Sequence, residues 1–110
     1  MDVVTEPSHD FSSVPVAASF FRRFSGLMFR RRGLTLYFPR CRALHTCFML
    51  TAIDLVFVDD SAVVTEIVPA ARPWRVYVAR KPARHVLELP PGGASGIEVG
   101  DRLLLPGLSS

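Results

Sequence analysis

Residues 53 to 68 read Ile-Asp-Leu-Val-Phe-Val-Asp-Asp-Ser-Ala-Val-Val-Thr-Glu-Ile-Val, and this stretch decides the fold. Its two apolar parts, Ile53 to Val58 and Val63 to Val68, are rich in valine and isoleucine, which fit the pleated, half-buried surface of a β-strand. The residues between them, Asp59 to Ala62, are of the small and polar kinds that favour tight turns. The sequence therefore predicts two antiparallel strands that are joined as a β-hairpin.

Further short strands are predicted on both sides of this hairpin. Each is a run of apolar or β-branched residues bounded by turn-forming residues. They are Leu34 to Phe38, Ala43 to Met49, Trp74 to Val78, His85 to Leu89 and Leu103 to Leu105. Many short strands with frequent turns are typical of a mainly β domain. We therefore predict a small antiparallel sandwich or a partly open barrel.

One segment has the periodicity of a helix. Its apolar residues are spaced so that they form a single stripe on a helical surface. They are Phe20, Phe21, Phe24, Leu27 and Met28. Ser19 precedes this stripe as an N-cap and Gly33 follows it as a C-terminal glycine. We expect one short amphipathic helix over Phe20 to Arg32, packed against the sheet.

The chain of 110 residues is long enough for one such domain. Apolar residues make up 49% of it, so a core can be filled and a disordered chain is disfavoured. Residues 1 to 13 have no periodic apolar pattern, and we expect them to form a flexible leader. Residues 14 to 110 are then a single β-rich domain.

Charge and hydropathy disfavour a membrane protein or an exported one. The longest stretches without a charged residue, Phe11 to Phe21 and Ala43 to Ile53, are much shorter than the about 20 residues that a membrane-spanning helix needs. Asp2, Glu6 and Asp10 lie in the first ten residues, where a secretory signal peptide would be basic. We therefore expect no membrane span and a cytoplasmic location.

Motifs for common cofactors and catalytic centres are missing from the sequence. There is no glycine-rich phosphate loop, no Gly-x-Ser-x-Gly elbow and no Cys-x-x-Cys pair. His45 and Cys47 can face one metal ion from the same strand, but a structural zinc site needs four ligands and no fourth is evident. We therefore predict neither a cofactor nor a bound metal ion.

Three polar residues with apolar neighbours are candidates for contact with a ligand: His45, Asp54 and Glu88. A buried carboxylate needs hydrogen bonds or a counter-charge, so both acids must find partners if they are buried. If the three side chains converge on one pocket, they suit a non-catalytic module that binds a small ligand or a partner. The alternative is a small hydrolase-like enzyme in which His45 acts as a base oriented by Asp54.

Arginines are concentrated in one part of the chain. Seven of them, and no acid, lie between Asp10 and Asp54: Arg22, Arg23, Arg30, Arg31, Arg32, Arg40 and Arg42. The region can also contact the phosphates of a nucleic acid, which is a further alternative. The net charge is only +3, which favours a solvated helix face, with some arginines paired to the acidic hairpin, over a nucleic-acid partner.

Four segments of the chain match the pattern of a known family, in the family's order: residues 23–30, 43–59, 86–92 and 96–103. Through them the chain resembles the domain of unknown function 192 family of small bacterial and archaeal proteins. The resemblance implies a jelly-roll-like barrel with the helix at one end. It also marks His45, Met49, Asp54 and Glu88, by their positions in the motif, as candidates for a shared site. The turn in residues 23–30 makes Arg23 and Arg30 candidates for contact with an anion. Ser25 and Ala52 depart from the family's usual arginine and proline. The family has no assigned activity, so no reaction is implied.

Overall fold

The computed structural model describes residues 7–16, 35–41, 43–45, 52–72, 75–80 and 82–107, with only the backbone described for 43–45 and 76. These ranges contain eight β-strands and no helix. The strands are β1 Pro7–Asp10, β2 Leu36–Phe38, β3 Ala43–His45, β4 Ile53–Val58, β5 Val64–Ala71, β6 Val76–Val78, β7 His85–Leu89 and β8 Arg102–Leu104. The prediction of a mainly β fold is therefore confirmed.

The predicted hairpin forms half of a four-stranded antiparallel sheet. Its strands lie in the order β2, β7, β4, β5, so β4 has a neighbour on each side. All six residues of β4 are buried. A strand that is enclosed on both faces and both edges needs a nearly continuous apolar sequence. Ile53 to Val58 provides this sequence, with Asp54 as the exception.

Asp59 holds the turn between β4 and β5. Its backbone N–H donates to the Val63 carbonyl at 3.0 Å, and its carbonyl accepts the Ala62 N–H at 3.0 Å. Its Oδ1 accepts the N–H groups of Ser61 at 2.8 Å and Val63 at 3.1 Å. Ala62 has a left-handed φ of 63°, the conformation that ends such a turn as a bulge residue. The predicted turn is confirmed.

Two smaller sheets complete the described part of the fold. β1 pairs with β8 in parallel, and β3 pairs with β6 antiparallel. These sheets and the four-stranded sheet are open, so the described strands do not form a closed barrel.

Side chains from the four-stranded sheet fill two cores, because successive residues of a strand point to opposite faces. The first core cluster is formed mainly by Tyr37, Val56, Val58, Leu87, Leu89, Leu103 and Leu105. The second core cluster is formed by Ile53, Leu55, Phe57, Ala71, Ala79, Ala83 and Val86. The sheet is therefore buried on both faces.

Residues 7 to 13, which lie in the segment expected to be a leader, contact β8 and the first core cluster. Pro7–Asp10 forms β1, and the Phe11 N–H donates to the Leu104 carbonyl at 2.8 Å. Phe11 and Val14 then pack against the first core cluster. The segment is ordered by β8, a partner that lies far away in the sequence and leaves no periodic pattern in residues 7 to 13.

Several predictions concern residues that the structure does not describe. The helix over Phe20 to Arg32 is one, and with it the anion candidates Arg23 and Arg30. Met49 also lies outside the described residues. In the part of the chain that is described, no helix is long and apolar enough to cross a membrane.

Candidate functional site

Asp54 and Glu88 lie on neighbouring strands but face opposite ways. Asp54 is opposite Leu89 in the β4–β7 pair, and Leu55 is opposite Glu88. Directly opposed residues share a face of the sheet, whereas successive residues alternate between faces. Asp54 therefore faces the first core cluster and Glu88 the second. The two carboxylates do not converge on one pocket, as a joint acid–base site would require.

Asp54 is a buried carboxylate whose oxygens both accept hydrogen bonds from the backbone. Its exposed fraction is 3%. Oδ1 accepts the Ala70 N–H at 2.9 Å, and Oδ2 accepts the Ala94 N–H at 3.0 Å. Two such donors compensate the burial of the charge. Asp54 thus connects the end of β5 and the turn after β7 to the central strand.

The structure describes two further candidates that were predicted from the sequence, Glu88 and His45, the latter only in its backbone. Glu88 is fully buried, opposite Leu36 and Leu55 on its two neighbouring strands. His45 ends β3, opposite Val76, and only its backbone is described. The roles of His45, Met49 and Glu88 in binding a ligand stay predictions.

His85 is a buried histidine that the sequence analysis did not select. Its exposed fraction is 4%. Nδ1 accepts the backbone N–H of Arg40 at 2.8 Å, and Nε2 lies 2.8 Å from Oδ1 of Asp60. Because Nδ1 acts as an acceptor, the ring proton lies on Nε2 and is donated to the carboxylate. Both nitrogens of a neutral imidazole are therefore engaged.

Three separate segments bring these groups together. His85 begins β7 opposite Val58, the last residue of β4, so it lies beside the hairpin turn that carries Asp60. The Arg84 N–H donates to the Val58 carbonyl at 2.8 Å and fixes the start of β7. Arg40 follows β2 with a left-handed φ of 53°. This conformation costs a residue other than glycine about 1–2 kcal/mol, and the hydrogen bond to His85 helps to hold it.

A cleft of 680 Å³ opens beside the His85–Asp60 pair. Its lining combines two arginines, two aspartates, a hydroxyl group and two small apolar residues. They are Arg40, Asp59, Asp60, Ser61, Pro82, Ala83 and Arg84. Nη1 of Arg84 lies 3.7 Å from Oδ2 of Asp60, so this carboxylate contacts His85 on one side and Arg84 on the other.

Asp54 does not contribute to this cleft. It shares a sheet face with His85, but it lies at the opposite end of the β4–β7 pair. Asp54 lies four positions before Val58 on the strand, which corresponds to roughly 13 Å. Among the described residues, no three histidine, cysteine or acidic side chains are grouped so that they could hold a metal ion.

Tyr37 lies in the core next to His85. The two ring centroids are 6.0 Å apart, and Tyr37 is 1% exposed. Its hydroxyl makes no hydrogen bond with any described residue. Burial, with a smaller contribution from the negative charge of Asp60, raises the pKa of Tyr37 to about 12.

Replacing Tyr37 with phenylalanine is expected to leave the free energy of unfolding at neutral pH unchanged or to raise it by up to about 1 kcal/mol. The change removes a buried hydroxyl that has no hydrogen-bond partner among the described residues. Tyr77→Phe is the matched control, because the Tyr77 hydroxyl accepts the Arg72 N–H at 2.8 Å. The free energy of unfolding of Tyr77→Phe should be lower than that of the wild type by about 1 kcal/mol. Urea unfolding measures both, and a clear loss in Tyr37→Phe would contradict the prediction.

The same variant tests the alkaline behaviour of the protein. The unfolded chain releases the Tyr37 proton near the ordinary pKa of 10, whereas the folded chain keeps it to about 12. This difference leaves the free energy of unfolding unchanged below pH 10, and it lowers that free energy as the pH rises towards 12, because the unfolded chain releases the proton first. The loss approaches about 2–3 kcal/mol. Tyr37→Phe should lack this part of the alkaline decline, and parallel pH profiles of the two proteins would disprove the assignment.

Comparison with known proteins places the chain among proteins without an assigned activity. A family model described as Uncharacterized ACR, that of the domain of unknown function 192, matches residues 3–105. The UPF0127 protein of Pyrococcus furiosus is 40% identical over 98 residues, which cover 82% of this chain and 84% of that protein. The UPF0127 protein of Pyrococcus abyssi is 39% identical over 98 residues, covering 82% and 83%.

Two solved structures share the fold. A protein of unknown function from Novosphingobium aromaticivorans is 25% identical with a TM-score of 0.62, covering 81% of this chain and 70% of that one. A Sinorhizobium meliloti protein, described as a candidate transcription regulator, is 26% identical with a TM-score of 0.64, covering 81% and 76%. Because the family model matches nearly the whole chain, this protein belongs to the domain of unknown function 192 family.

Proposed function

We propose that this protein is a non-catalytic binding module that holds a small ligand in the cleft beside His85. The cleft is the observation that carries the proposal. Its volume of 680 Å³ lies within the range of about 300–1,000 Å³ that is common for small-ligand pockets. Charged and hydrogen-bonding side chains line it together with Pro82 and Ala83, so both polar and apolar parts of a ligand can be contacted.

The hydrogen bonds of His85 favour binding over catalysis. A histidine that acts as a general base needs one ring nitrogen towards its orienting carboxylate and the other towards the substrate. In this protein Nε2 faces Asp60, but Nδ1 already accepts the Arg40 N–H. His85 therefore has no lone pair left for a substrate proton, and it acts as a support for the wall of the cleft.

This proposal places the binding site at residues other than those selected from the sequence. Asp54 is engaged by two backbone N–H groups, and Glu88 faces the other side of the sheet. We further propose that the three described sheets belong to a jelly-roll-like arrangement, with the helix expected over Phe20 to Arg32 at one end. The open, mostly antiparallel pairing supports such an arrangement.

Titration of the ¹⁵N-labelled protein with four probes tests the binding function. The probes are inorganic phosphate, succinate, glucose and putrescine, which sample anionic, neutral and cationic chemistry. At least one should shift the amide signals of Arg40, Asp60, Ser61, Arg84 and His85 in a saturable way and be recovered unchanged. If no probe shifts these amides, if the shifts centre elsewhere, or if a probe is consumed, the proposal is overturned.

A further inference from the structure

We infer that the cleft takes an oxyanion, the carboxylate or phosphate group of a small ligand, and that Arg40 is the residue that contacts it. The inference rests on the proposed function, because it names the class of ligand for the same cleft. Its support is the backbone conformation of Arg40, the engagement of the two neighbouring carboxylates and the loose pairing of Arg84.

The backbone at Arg40 is fixed in a conformation that disfavours any residue with a Cβ atom. Its φ of 53° lies in the left-handed region, which glycine adopts at lower cost. The hydrogen bond of its N–H to Nδ1 of the buried His85, at 2.8 Å, anchors this conformation. A strained residue that carries a charged side chain at the edge of a cleft is better explained by binding than by stability.

The Arg40 guanidinium makes no ion pair or hydrogen bond with any described residue. The two cleft carboxylates have other contacts. Asp60 contacts His85 and Arg84, and Oδ1 of Asp59 accepts the N–H groups of the hairpin turn. The five N–H donors of Arg40 are therefore open to a ligand, and their planar arrangement matches the paired oxygens of a carboxylate or a phosphate.

Arg84 provides a second positive group on the same cleft. Its guanidinium is 3.7 Å from Asp60, and the side chains are 58% and 63% exposed. An exposed pair at this distance is weak, so Arg84 can turn to a bound oxyanion at little cost. The Ser61 hydroxyl, on the hairpin-turn segment of the lining, offers one more donor.

The test compares oxyanion affinity in four proteins at constant ionic strength, using inorganic phosphate in one arm and succinate in the other. Amide shifts of Ser61, Arg84 and His85 report the binding. Arg40→Gln removes the charge but keeps a polar side chain, and we expect the affinity to fall at least about 10-fold. The affinity of Arg40→Lys should fall less than that of Arg40→Gln, because lysine keeps the positive charge. Arg80→Gln, an exposed arginine outside the cleft lining, is the control and should stay within about 2-fold.

A fifth protein separates binding from folding. Arg40→Gly relieves the left-handed strain, so its melting temperature should equal or exceed that of the wild type, while its oxyanion affinity falls as in Arg40→Gln. The oxyanion that binds with the higher affinity, inorganic phosphate or succinate, identifies the ligand group as a phosphate or as a carboxylate.

Two outcomes would overturn the inference alone. One is unchanged affinity in Arg40→Gln. The other is a response of the cleft amides to glucose or putrescine but not to either oxyanion, which would leave the proposed binding function standing. If none of the four probes shifts the cleft amides, the binding function and this inference are overturned together.

Discussion

Replacing Asp54 with alanine is expected to lower the free energy of unfolding by about 3 kcal/mol, because two backbone N–H groups lose their acceptor at once. The Ala94 N–H is fully buried, so its loss should account for the larger part. The Ala70 N–H is partly buried and can turn to water. For a domain of this size the melting temperature should fall by about 12–20 °C, which thermal unfolding measures directly.

Asp10 provides a matched control for this prediction. Its Oδ1 also accepts two hydrogen bonds, from the Ser12 N–H at 3.0 Å and the Ser12 hydroxyl at 2.6 Å, but the residue is exposed. Water can replace both bonds in Asp10→Ala, so the change in melting temperature should be much smaller. The fall in melting temperature of Asp54→Asn should lie between those of Asp54→Ala and Asp10→Ala, since the asparagine amide keeps one acceptor oxygen. Equal losses in Asp54→Ala and Asp10→Ala would show that Asp54 is not the connection described here.

Replacing His85 with alanine is expected to lower the free energy of unfolding by about 2–4 kcal/mol. The variant loses the packing of the imidazole against Tyr37 and leaves the Arg40 N–H without its acceptor. Arg84→Ala is the control from the adjacent position. Its weak, exposed pair with Asp60 should be worth less than about 1 kcal/mol. Urea unfolding of the two variants gives the comparison.

Two conservative variants separate the hydrogen bonds of His85. Asparagine can place its side-chain oxygen near the position of Nδ1 and accept the Arg40 N–H, whereas glutamine can place its amide near Nε2 and donate to Asp60. Asp60 is exposed and water can replace its partner, but the Arg40 N–H is partly buried. His85→Asn should therefore be more stable than His85→Gln. The reverse order would mean that the contact with Asp60 is the one that holds the segment.

The local parts of the fold were predictable because their physical causes are local. Alternation, β-branched residues and the turn residues Asp59 to Ala62 identify the hairpin without any distant contact. The same holds for β7, whose apolar run His85 to Leu89 matches the predicted strand at both ends. The strand Leu36–Phe38 is shorter at its start than the predicted run, because Thr35 lies outside it. The extent of a strand depends on its pairing partner, which propensity does not determine.

The candidate site was not predictable, because it depends on which strands pair. Asp54 and Glu88 look alike in the sequence, each an acid in an apolar strand, and only the β4–β7 register shows that they face opposite sides. The same pairing places His85 beside the turn that holds Asp60. His85 at the start of an apolar strand, together with the acidic turn, was a signal that could have been noted. Nothing local indicates that the backbone of Arg40 reaches the ring.

The parallel pairing of β1 with β8 has a consequence for synthesis on the ribosome. Ser8 donates its hydroxyl to the Arg102 carbonyl across 94 positions of sequence, so β1 has no strand to join until nearly all of the described chain has emerged. Contacts between such distant residues slow folding. The apolar side chains of Phe11 and Val14 then remain accessible to chaperones or to other nascent chains until Leu104 has emerged from the ribosome.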